Sequence, residues 1–484
     1  MSQKFEFKGK KIHFVGIGGA GMSALAQICL RMGCQVSGSD LKESRNTSFL
    51  KDQGAQIFIG HDPKNVGPAD VVVYSSAIPS TNCELEASKQ NRITLLSRGE
   101  MLASLCEGKR TIAVAGTHGK TTTTSMISLA FENNGLDPTF VIGGELNDIG
   151  SSAKYGRGEF FIAETDESDG SFLHLTPEIA VITNIEADHL DYYSSLSEIE
   201  SSFIKFIKGV KRESIICGDY ANIASIISKN HRTYVSYGLK RHNHYCAENI
   251  VFDKFSASFD VYKERRKLGK VALGVPGAHN ISNALGTLVL CLSLGLSFRS
   301  VSDALREFSG VKRRFEVIGS FSGITVVNDY AHHPTEVEAL LSAAKAGGWT
   351  RVICFFQPHR FSRTKYLCND FGAAFDLADV VILSDVYGAG EDPLPGISGK
   401  LIAEAILDRN PSKQLSYFPR IRDVESHLYS LLKEGDLLLF AGAGDIGALA
   451  GEFLNTLKKR HKSVSSLPTI EGRTDVKKSV HKNV

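Results

Sequence analysis

Thr111-Ile112-Ala113-Val114-Ala115-Gly116-Thr117-His118-Gly119-Lys120-Thr121-Thr122-Thr123-Thr124 is the stretch on which the fold turns. The apolar run from Thr111 to Ala115 reads as a buried strand. Gly116 and Gly119 make a turn after it. Lys120 then opens a segment in which small and apolar residues alternate (Ser125, Met126, Ile127, Leu129, Ala130, Phe131), as suits a helix. Strand, glycine-rich turn, Lys-Thr and helix make a phosphate cradle, because backbone N–H groups and the positive end of the helix dipole face an anion. Lys120 can reach terminal phosphates, and the Thr121 hydroxyl can ligate Mg²⁺. The usual motif spaces its glycines more widely; here only Thr117 and His118 stand between them. An ordinary turn and helix cap is the competing reading.

Outward toward the N-terminus lies a second glycine turn. Lys11 to Val15 reads as a strand and runs into Gly16-Ile17-Gly18-Gly19-Ala20-Gly21. An amphipathic helix is expected from Met22 to Met32 and another strand from Gln35 to Gly38. Asp40 follows Gly21 by nineteen residues, the spacing at which a carboxylate meets a ribose hydroxyl in a dinucleotide fold. A diphosphate-bearing nucleotide fits this pattern, and NAD and UDP need the same amides. Val71 to Tyr74 is a further buried strand, ending in Ser75-Ser76-Ala77-Ile78 at the sheet edge where ligands bind in such folds. The two serines can equally satisfy only their own loop backbone, and His61 reads as a surface histidine.

Outward toward the C-terminus, the strand Phe160 to Ala163 delivers Glu164, with Asp166, Glu167 and Asp169 behind it. A carboxylate at a strand end downstream of a phosphate loop is placed to hold Mg²⁺, and Glu164 is the best placed of the four. The strand Ile179 to Thr183 ends in Asn184-Ile185-Glu186-Ala187-Asp188-His189, where His189 is either a ligand for a second divalent ion or a loop residue. Val275 to Ala284 opens a helix that Ser282 or Asn283 can cap, while His279 and Asn280 can read an adenine edge. Beyond Val311-Lys312-Arg313-Arg314-Phe315, four more strands are expected: Ile324 to Val327, Arg351 to Phe356, Val380 to Ser384 and Leu437 to Phe440. Each ends in a polar or glycine-rich loop, so a second parallel α/β sheet follows. Arg360 and Arg363 are placed to grip a carboxylate or phosphate.

The composition sets bounds. A chain of 484 residues holds two or three domains, and its net charge of +2 offers no bulk attraction for nucleic acid or an anionic membrane. Nine cysteines without a Cys-x-x-Cys point to reduced thiols and a cytoplasmic protein. No apolar run approaches bilayer-spanning length. The expected domains are residues 1–109, 110–310 and 311–457, followed by a basic disordered tail, 458–484.

Ten motifs in register over residues 10 to 457 resemble the Mur ligases of bacterial cell-wall synthesis. They are Gly16 to Gly21, Ser75 to Ile78, Ala115 to Thr124, Glu164 to Phe172, Thr183 to Asp191, Gly277 to Asn283, Asp329 to Glu336, Gln357 to Arg363, Asp385 to Glu391 and Gly442 to Ile446. The resemblance implies three α/β domains: a Rossmann-like first domain, a central P-loop ATPase-like domain with a mostly parallel sheet, and a Rossmann-like third domain. It implies an ATP-dependent ligase joining L-alanine to the lactyl carboxylate of UDP-N-acetylmuramate through an acyl phosphate. The implied UDP-sugar contacts are Gly18, Gly19, Ala20, Gly21, Asp40, Ser75 and Ser76. Gly116, Thr117, His118, Gly119, Lys120, Thr121, Thr122 and Asn280 would bind ATP. Thr121, Glu164 and His189 would hold Mg²⁺, with Mn²⁺ as an alternative ion. Asp329, Tyr330, His332, Arg360 and Arg363 would complete the amino-acid site on domain closure. Lys120, His189, His332 and Arg314 would stand at the chemistry, His332 being the candidate base. No lysine follows Asp191 shortly, so the carbamylated lysine of several Mur ligases is not expected. Three rivals remain open at this point: a family member that ligates a recycled peptide, an NAD-dependent oxidoreductase built on Gly16 to Gly21, and a nucleotide-binding scaffold without turnover.

Overall fold

The computed structural model describes residues 7–168, 170–188, 192–228 and 233–465. These residues form three sheet-bearing α/β units, with five, ten and six strands in chain order.

In the first sheet Lys11–Val15 lies in the middle. It pairs in parallel with Gln35–Asp40 on one side and Val71–Tyr74 on the other, with Gln56–Ile59 and Thr94–Ser97 at the edges. Strand order reverses at this central strand, so Gly16 to Gly21 emerge at a topological switch point, where open α/β sheets bind ligands. The helix that follows is Ala20–Arg31, starting ahead of Met22. Met22 is the first residue of its buried face, but the last residues of the glycine turn already have helical backbone.

The central sheet runs Arg266–Leu273, Ala257–Lys263, Tyr245–Phe252, Tyr234–Gly238, Glu213–Cys217, Ile179–Ile182, Arg110–Ala115, Phe160–Glu164, Thr139–Leu146, Ser151–Lys154. Ile112, Ala113, Val114 and Ala115 are all fully buried, as expected for a strand covered on both faces. Val114 pairs with Glu164 and Ala115 with Ile182. The level register brings the phosphate loop, Glu164 and Asn184 out at one edge. Three strands, Tyr245 to Leu273, form an antiparallel meander that sequence reading missed. Its outer strand is buried only at Val271 and Leu273, so it shows no continuous apolar run.

The third sheet has the order Glu316–Phe321, Ile324–Asp329, Asp436–Ala441, Arg351–Phe356, Val380–Ser384, Gln414–Phe418. Its first pair is antiparallel and the rest are parallel. The four expected strands form its interior, and the two edge strands carry too little apolar sequence to be read. The helix Ala278–Ser293 starts from Gly277, which has a φ of +99°. Ser282 and Asn283 therefore lie inside the helix and do not cap it. The last helix, Ile446–Ser465, runs through the proposed boundary at Leu457. Leu457 is its last residue packed on the apolar cluster, but helical backbone hydrogen bonding outlasts that contact. Residues 466–484 lie outside the described residues.

The first and central units share one buried cluster in which Met22, Leu25, Phe172, Phe203 and Phe206 are contiguous. The Phe172 ring sits 5.1 Å from Phe203 and 5.0 Å from Phe206. Removing such a ring costs about 3–5 kcal/mol. Among the described residues, no helix is long and apolar enough to cross a membrane.

Candidate active site

The phosphate loop is moulded by the neighbouring strand end. Thr117 N–H donates to Asn184 O (3.1 Å) and His118 N–H to Asn184 Oδ1 (2.8 Å). The Thr183 hydroxyl donates to His118 O (2.6 Å), and Glu186 N–H donates to the Thr117 hydroxyl (2.9 Å). Gly119 has φ +80°, and a Cβ there would lie 2.6 Å from Asn283 Oδ1, so only glycine fits. Helix Lys120–Asn133 begins directly after it with no side chain capping its N-terminus. Its first N–H groups thus face the loop interior, as an anion site requires.

Lys120 Nζ donates to Gly116 O (2.6 Å), Thr117 O (3.2 Å) and both oxygens of Glu167 (2.8 Å each). Burial opposes the Lys120 charge, but Glu167 and Asp166 outweigh it and raise the ammonium above its usual range. Burial pushes the Glu167 carboxyl up to about 7, Asp166 adding to the effect and Lys120 opposing it. The Thr121 hydroxyl donates to Glu164 Oε1 (2.8 Å), and Gly143 N–H donates to Glu164 Oε2. Thr121 and Glu164 thus converge as hard oxygen donors, the chemistry Mg²⁺ prefers. His189, the third expected ligand, lies outside the described residues.

Beside the loop is a cavity with about 140 Å³ of water-accessible space, lined in part by Thr122, Asn184, Tyr220, His279, Asn280 and Arg314. Asn280 is 6% exposed. Its Nδ2 donates to Pro276 O (2.7 Å), and its Oδ1 accepts from Asn283 Nδ2 (3.3 Å). Burial pushes His279 down to about 4, so this wall presents a neutral imidazole, suited to an uncharged base.

The third unit closes the cavity through Glu336. Its Oε1 pairs with His118 Nδ1 (3.2 Å) and lies 3.6 Å from Arg314 Nη1. Its Oε2 accepts from His332 N–H (3.0 Å) and lies 3.2 Å from His332 Nδ1. Burial alone would raise this carboxyl, but His332, His118 and Arg314 hold it well below its usual range. Burial likewise opposes the His118 charge, yet Glu186 and Glu336 push that imidazole up to about 9. His332 is pushed down to about 4, chiefly by burial with Arg363 adding. Its Nδ1 is 2.9 Å from Tyr330 O, which can only accept. The ring therefore carries its proton on Nδ1 and leaves a lone pair on Nε2.

Asp329 accepts from Phe315 N–H (2.6 Å) and Ala331 N–H (2.7 Å). It ties the backbone just after Tyr330 to the Phe315 segment. The Tyr330 ring lies under Arg313 (4.7 Å) and Arg314 (5.1 Å). Arg363 is 8% exposed and donates to Asp188 Oδ1 (3.2 Å) across the boundary between units. Arg360 begins helix Phe361–Ala374 with φ +69° and lies 4.0 Å from Glu391.

At the first glycine turn, Asp40 Oδ2 accepts from Gly18 N–H (2.8 Å). This oxygen braces the turn itself, beyond the ribose role expected of the residue. Helix Ala20–Arg31 has no side-chain cap, so Ala20 and Gly21 sit at an N-terminus open to an anion. The Ser75 hydroxyl accepts from Ala77 N–H (3.3 Å) in its own loop, and Ser76 is exposed. His61 pairs with Ser39 Oγ (3.0 Å) beside the fully buried Glu84, so it is not the surface histidine expected.

Family models match in chain order: the Mur ligase family, catalytic domain over residues 11–110, the Mur ligase middle domain over 114–291, and the Mur ligase, glutamate ligase domain over 313–444. The chain is 45% identical to UDP-N-acetylmuramate–L-alanine ligase of Geotalea daltonii over 447 residues, 92% of this chain and 97% of that protein. It is 46% identical to the like-named ligase of Dictyoglomus turgidum over 441 residues, 90% and 95% of the two chains. The chain belongs to the Mur ligase family. Among solved structures, UDP-N-acetylmuramate–alanine ligase from Thermotoga maritima aligns with a TM-score of 0.80 at 30% identity, over 93% of this chain and 100% of that one. A murein peptide ligase from Psychrobacter arcticus aligns with a TM-score of 0.68 at 25% identity, over 93% and 99%.

In this Mur ligase three residues at the centre of the site escaped sequence reasoning. Glu336 joins the phosphate loop to the third unit. Its signal was its place three residues after His333, a capping-box spacing that the structure contains. Glu186 pairs with His118 Nε2 at 3.6 Å. Arg98 lies against the first glycine turn, where a Gly21 Cβ would be 3.3 Å from its Nη1, and its Nη2 donates to Asp166 Oδ2 (3.1 Å). Burial would raise Asp166, but Lys120 and Arg98 hold it down to about 2. One carboxylate thus links the Mur ligase's two glycine turns.

Proposed function

We propose that the chain joins L-alanine to the lactyl carboxylate of UDP-N-acetylmuramate, with ATP cleaved to ADP and phosphate, in bacterial peptidoglycan precursor synthesis. Residues 1–109 bind the UDP-sugar, 110–310 bind ATP, and 311–457 bring the amino-acid side of the site. ATP, the UDP-sugar and nine free thiols suit the cytoplasm.

One observation supports the reading: a cleft runs from the helix start after the first glycine turn to Gly143 and Gly144, which back onto Glu164 and Thr121. It has about 210 Å³ of water-accessible space, with Ala20, Ser23 and Asn46 on one wall and Gly143, Gly144 and Ser151 on the other. Gly143 is bonded to Glu164 and Gly144 packs on Thr121. A sugar whose diphosphate rests on Gly18 to Gly21, Asp40 bracing the turn and Ser75 and Ser76 at its rim, has a path for its lactyl arm to the phosphate loop.

Gly116 to Thr122 cradle the triphosphate, and Asn280 and His279 face the adenine. The carboxylate oxygen attacks the γ-phosphorus, ADP leaves, and an acyl phosphate forms. Lys120 passes from Glu167 to the transferring phosphoryl group, and burial, which already pushes the Glu167 carboxyl up to about 7, favours a proton on it once the ammonium has left. Arg314 neutralises the same charge from the third unit. Thr121 and Glu164, with His189, would hold Mg²⁺, which supplies charge neutralisation on the phosphate oxygens. The alanine amine then attacks the carbonyl carbon, phosphate leaves, and the amine loses a proton. Neutral His332, with its Nε2 lone pair, is placed to orient that amine; burial makes it a weak base. Arg360, Arg363, Asp329 and Tyr330 hold the closed arrangement around the amino acid, where excluding water protects the acyl phosphate.

The test is phosphate release from ATP with Mg²⁺ and UDP-N-acetylmuramate, with and without L-alanine. Release that needs all three, with a product heavier by one alanyl residue, is the expected result. Turnover only with a peptide acceptor would assign the chain to the recycling branch instead.

A further inference from the structure

We propose that His118, Glu186 and His333 form a second metal site, suited to Zn²⁺ or a similar transition ion, that pins the phosphate loop to the third unit and arrests turnover. One donor atom from each lies within 4.8 Å of the others. The His118 and His333 rings are 4.8 Å apart, and His118 Nε2 is 3.6 Å from Glu186 Oε2. Both Nε2 atoms are buried and make no hydrogen bond within 3.5 Å among the described residues, and His333 is only 5% exposed; the His118 Nε2 proton, which faces Glu186, is released when an ion binds.

The surroundings are those of a ligand set. Glu336 holds His118 Nδ1 at 3.2 Å, and a carboxylate on the far nitrogen is what orients a metal-bound imidazole. The Thr335 hydroxyl donates to Glu186 Oε2 at 2.7 Å, fixing the third donor. His333 Nδ1 accepts from Thr335 N–H through a long 3.3 Å bond; giving up this weak bond lets the ring carry its proton on Nδ1 and offer the Nε2 lone pair to an ion. Metal–donor lengths of about 2.0–2.2 Å in a tetrahedral site put donors about 3.3–3.6 Å apart, so a donor pair near 4.8 Å must close by about 1 Å or more on binding. Two imidazoles and a carboxylate favour zinc, cobalt or nickel over Mg²⁺. The set shares no residue with Thr121, Glu164 and His189. An open cleft lined by Ile185, Glu186, His333 and Thr335 gives the ion an entry.

The consequence follows from where the ligands sit. His118 belongs to the phosphate loop, Glu186 to the strand end that moulds it, and His333 to the third unit. An ion held by all three bonds the loop to that unit and opposes the reopening that product release needs.

Co²⁺ titration of the full chain without nucleotide tests the site, because tetrahedral Co²⁺ absorbs intensely in the visible. One Co²⁺ per chain with tetrahedral bands is expected. His333→Asn keeps a helix-capping acceptor and should weaken binding by about tenfold or more. Glu186→Gln keeps the acceptor for Thr335 and should do the same, so the test survives if either variant misfolds. Absence of the bands in the unmodified chain, or equal binding in the folded variants, overturns the proposal. Bands lost in Glu164→Gln but kept in His333→Asn would put the ion on the Thr121 pair and overturn it as well. At saturating Mg²⁺, Zn²⁺ should inhibit phosphate release, with about tenfold more needed in His333→Asn relative to its own uninhibited rate. Equal inhibition would remove the arrest.

Discussion

The two glycine turns have the same local design and opposite electrostatics. Both follow a buried parallel strand and open a helix without a side-chain cap. At Gly16 to Gly21 the charged partner is Asp40, which accepts from Gly18 N–H and makes the turn rigid. At Gly116 to Lys120 it is a lysine held by Glu167, a cation that can change partners. A rigid turn suits a diphosphate that is only held. A transferable cation suits a phosphoryl group that must move. On the proposed function the backbone of both turns would hold an anion, and the side chain behind each would decide whether that anion is gripped or transformed.

Lys120→Ala tests that contrast most severely. We expect kcat to fall by about 10²–10³-fold or more, while calorimetry shows UDP-sugar binding nearly unchanged; parallel loss of both would merge the two turns into one function. Glu336→Ala should come next. It leaves His118 and Arg314 without their shared counter-charge and the His332 N–H without its acceptor, and stripping a buried pair of one partner costs about 3 kcal/mol or more, to be read as loss of denaturation free energy. Asp40→Ala should act only on the rigid turn. Losing a charge-assisted bond worth about 1.5–3 kcal/mol should raise KM for the UDP-sugar by about tenfold or more, with KM for ATP and kcat holding steady.

A separate expectation concerns pH. His118 titrates at about 9, above its ordinary 6.5. Its contribution to stability is therefore complete below pH 6.5 and lost as pH rises through about 9. Glu336 is depressed below its ordinary 4.5, so its contribution is present above that pH and lost as pH falls through its lowered value. Thermal unfolding between pH 6.5 and 9 should show a decline that His118→Gln abolishes.

How much was legible follows from how local each interaction is. The phosphate loop, the strand bearing Glu164 and the first glycine turn are each written within some twenty residues, where periodicity and glycine spacing speak directly. Edge strands such as Gln414–Phe418 and the Tyr245–Leu273 meander lack continuous apolar runs and were missed. So were Arg98 and Glu186. Arg98 reaches Asp166 across 68 positions, and no spacing rule spans such a distance. Asp40 was found by spacing, but its bond to Gly18 needed coordinates.

By itself, the sequence determined three α/β units, two glycine turns between strand and helix, and a Lys-Thr loop with a carboxylate behind it. These depend on hydrophobic pattern and on the backbone freedom of glycine, both of which act over a few residues. Only the tertiary structure decided that Glu336 joins His118, His332 and Arg314, that Lys120 rests on Glu167, and that His332 stays neutral. Those outcomes depend on which charges are taken out of water together, and burial and pairing belong to the folded arrangement of distant segments.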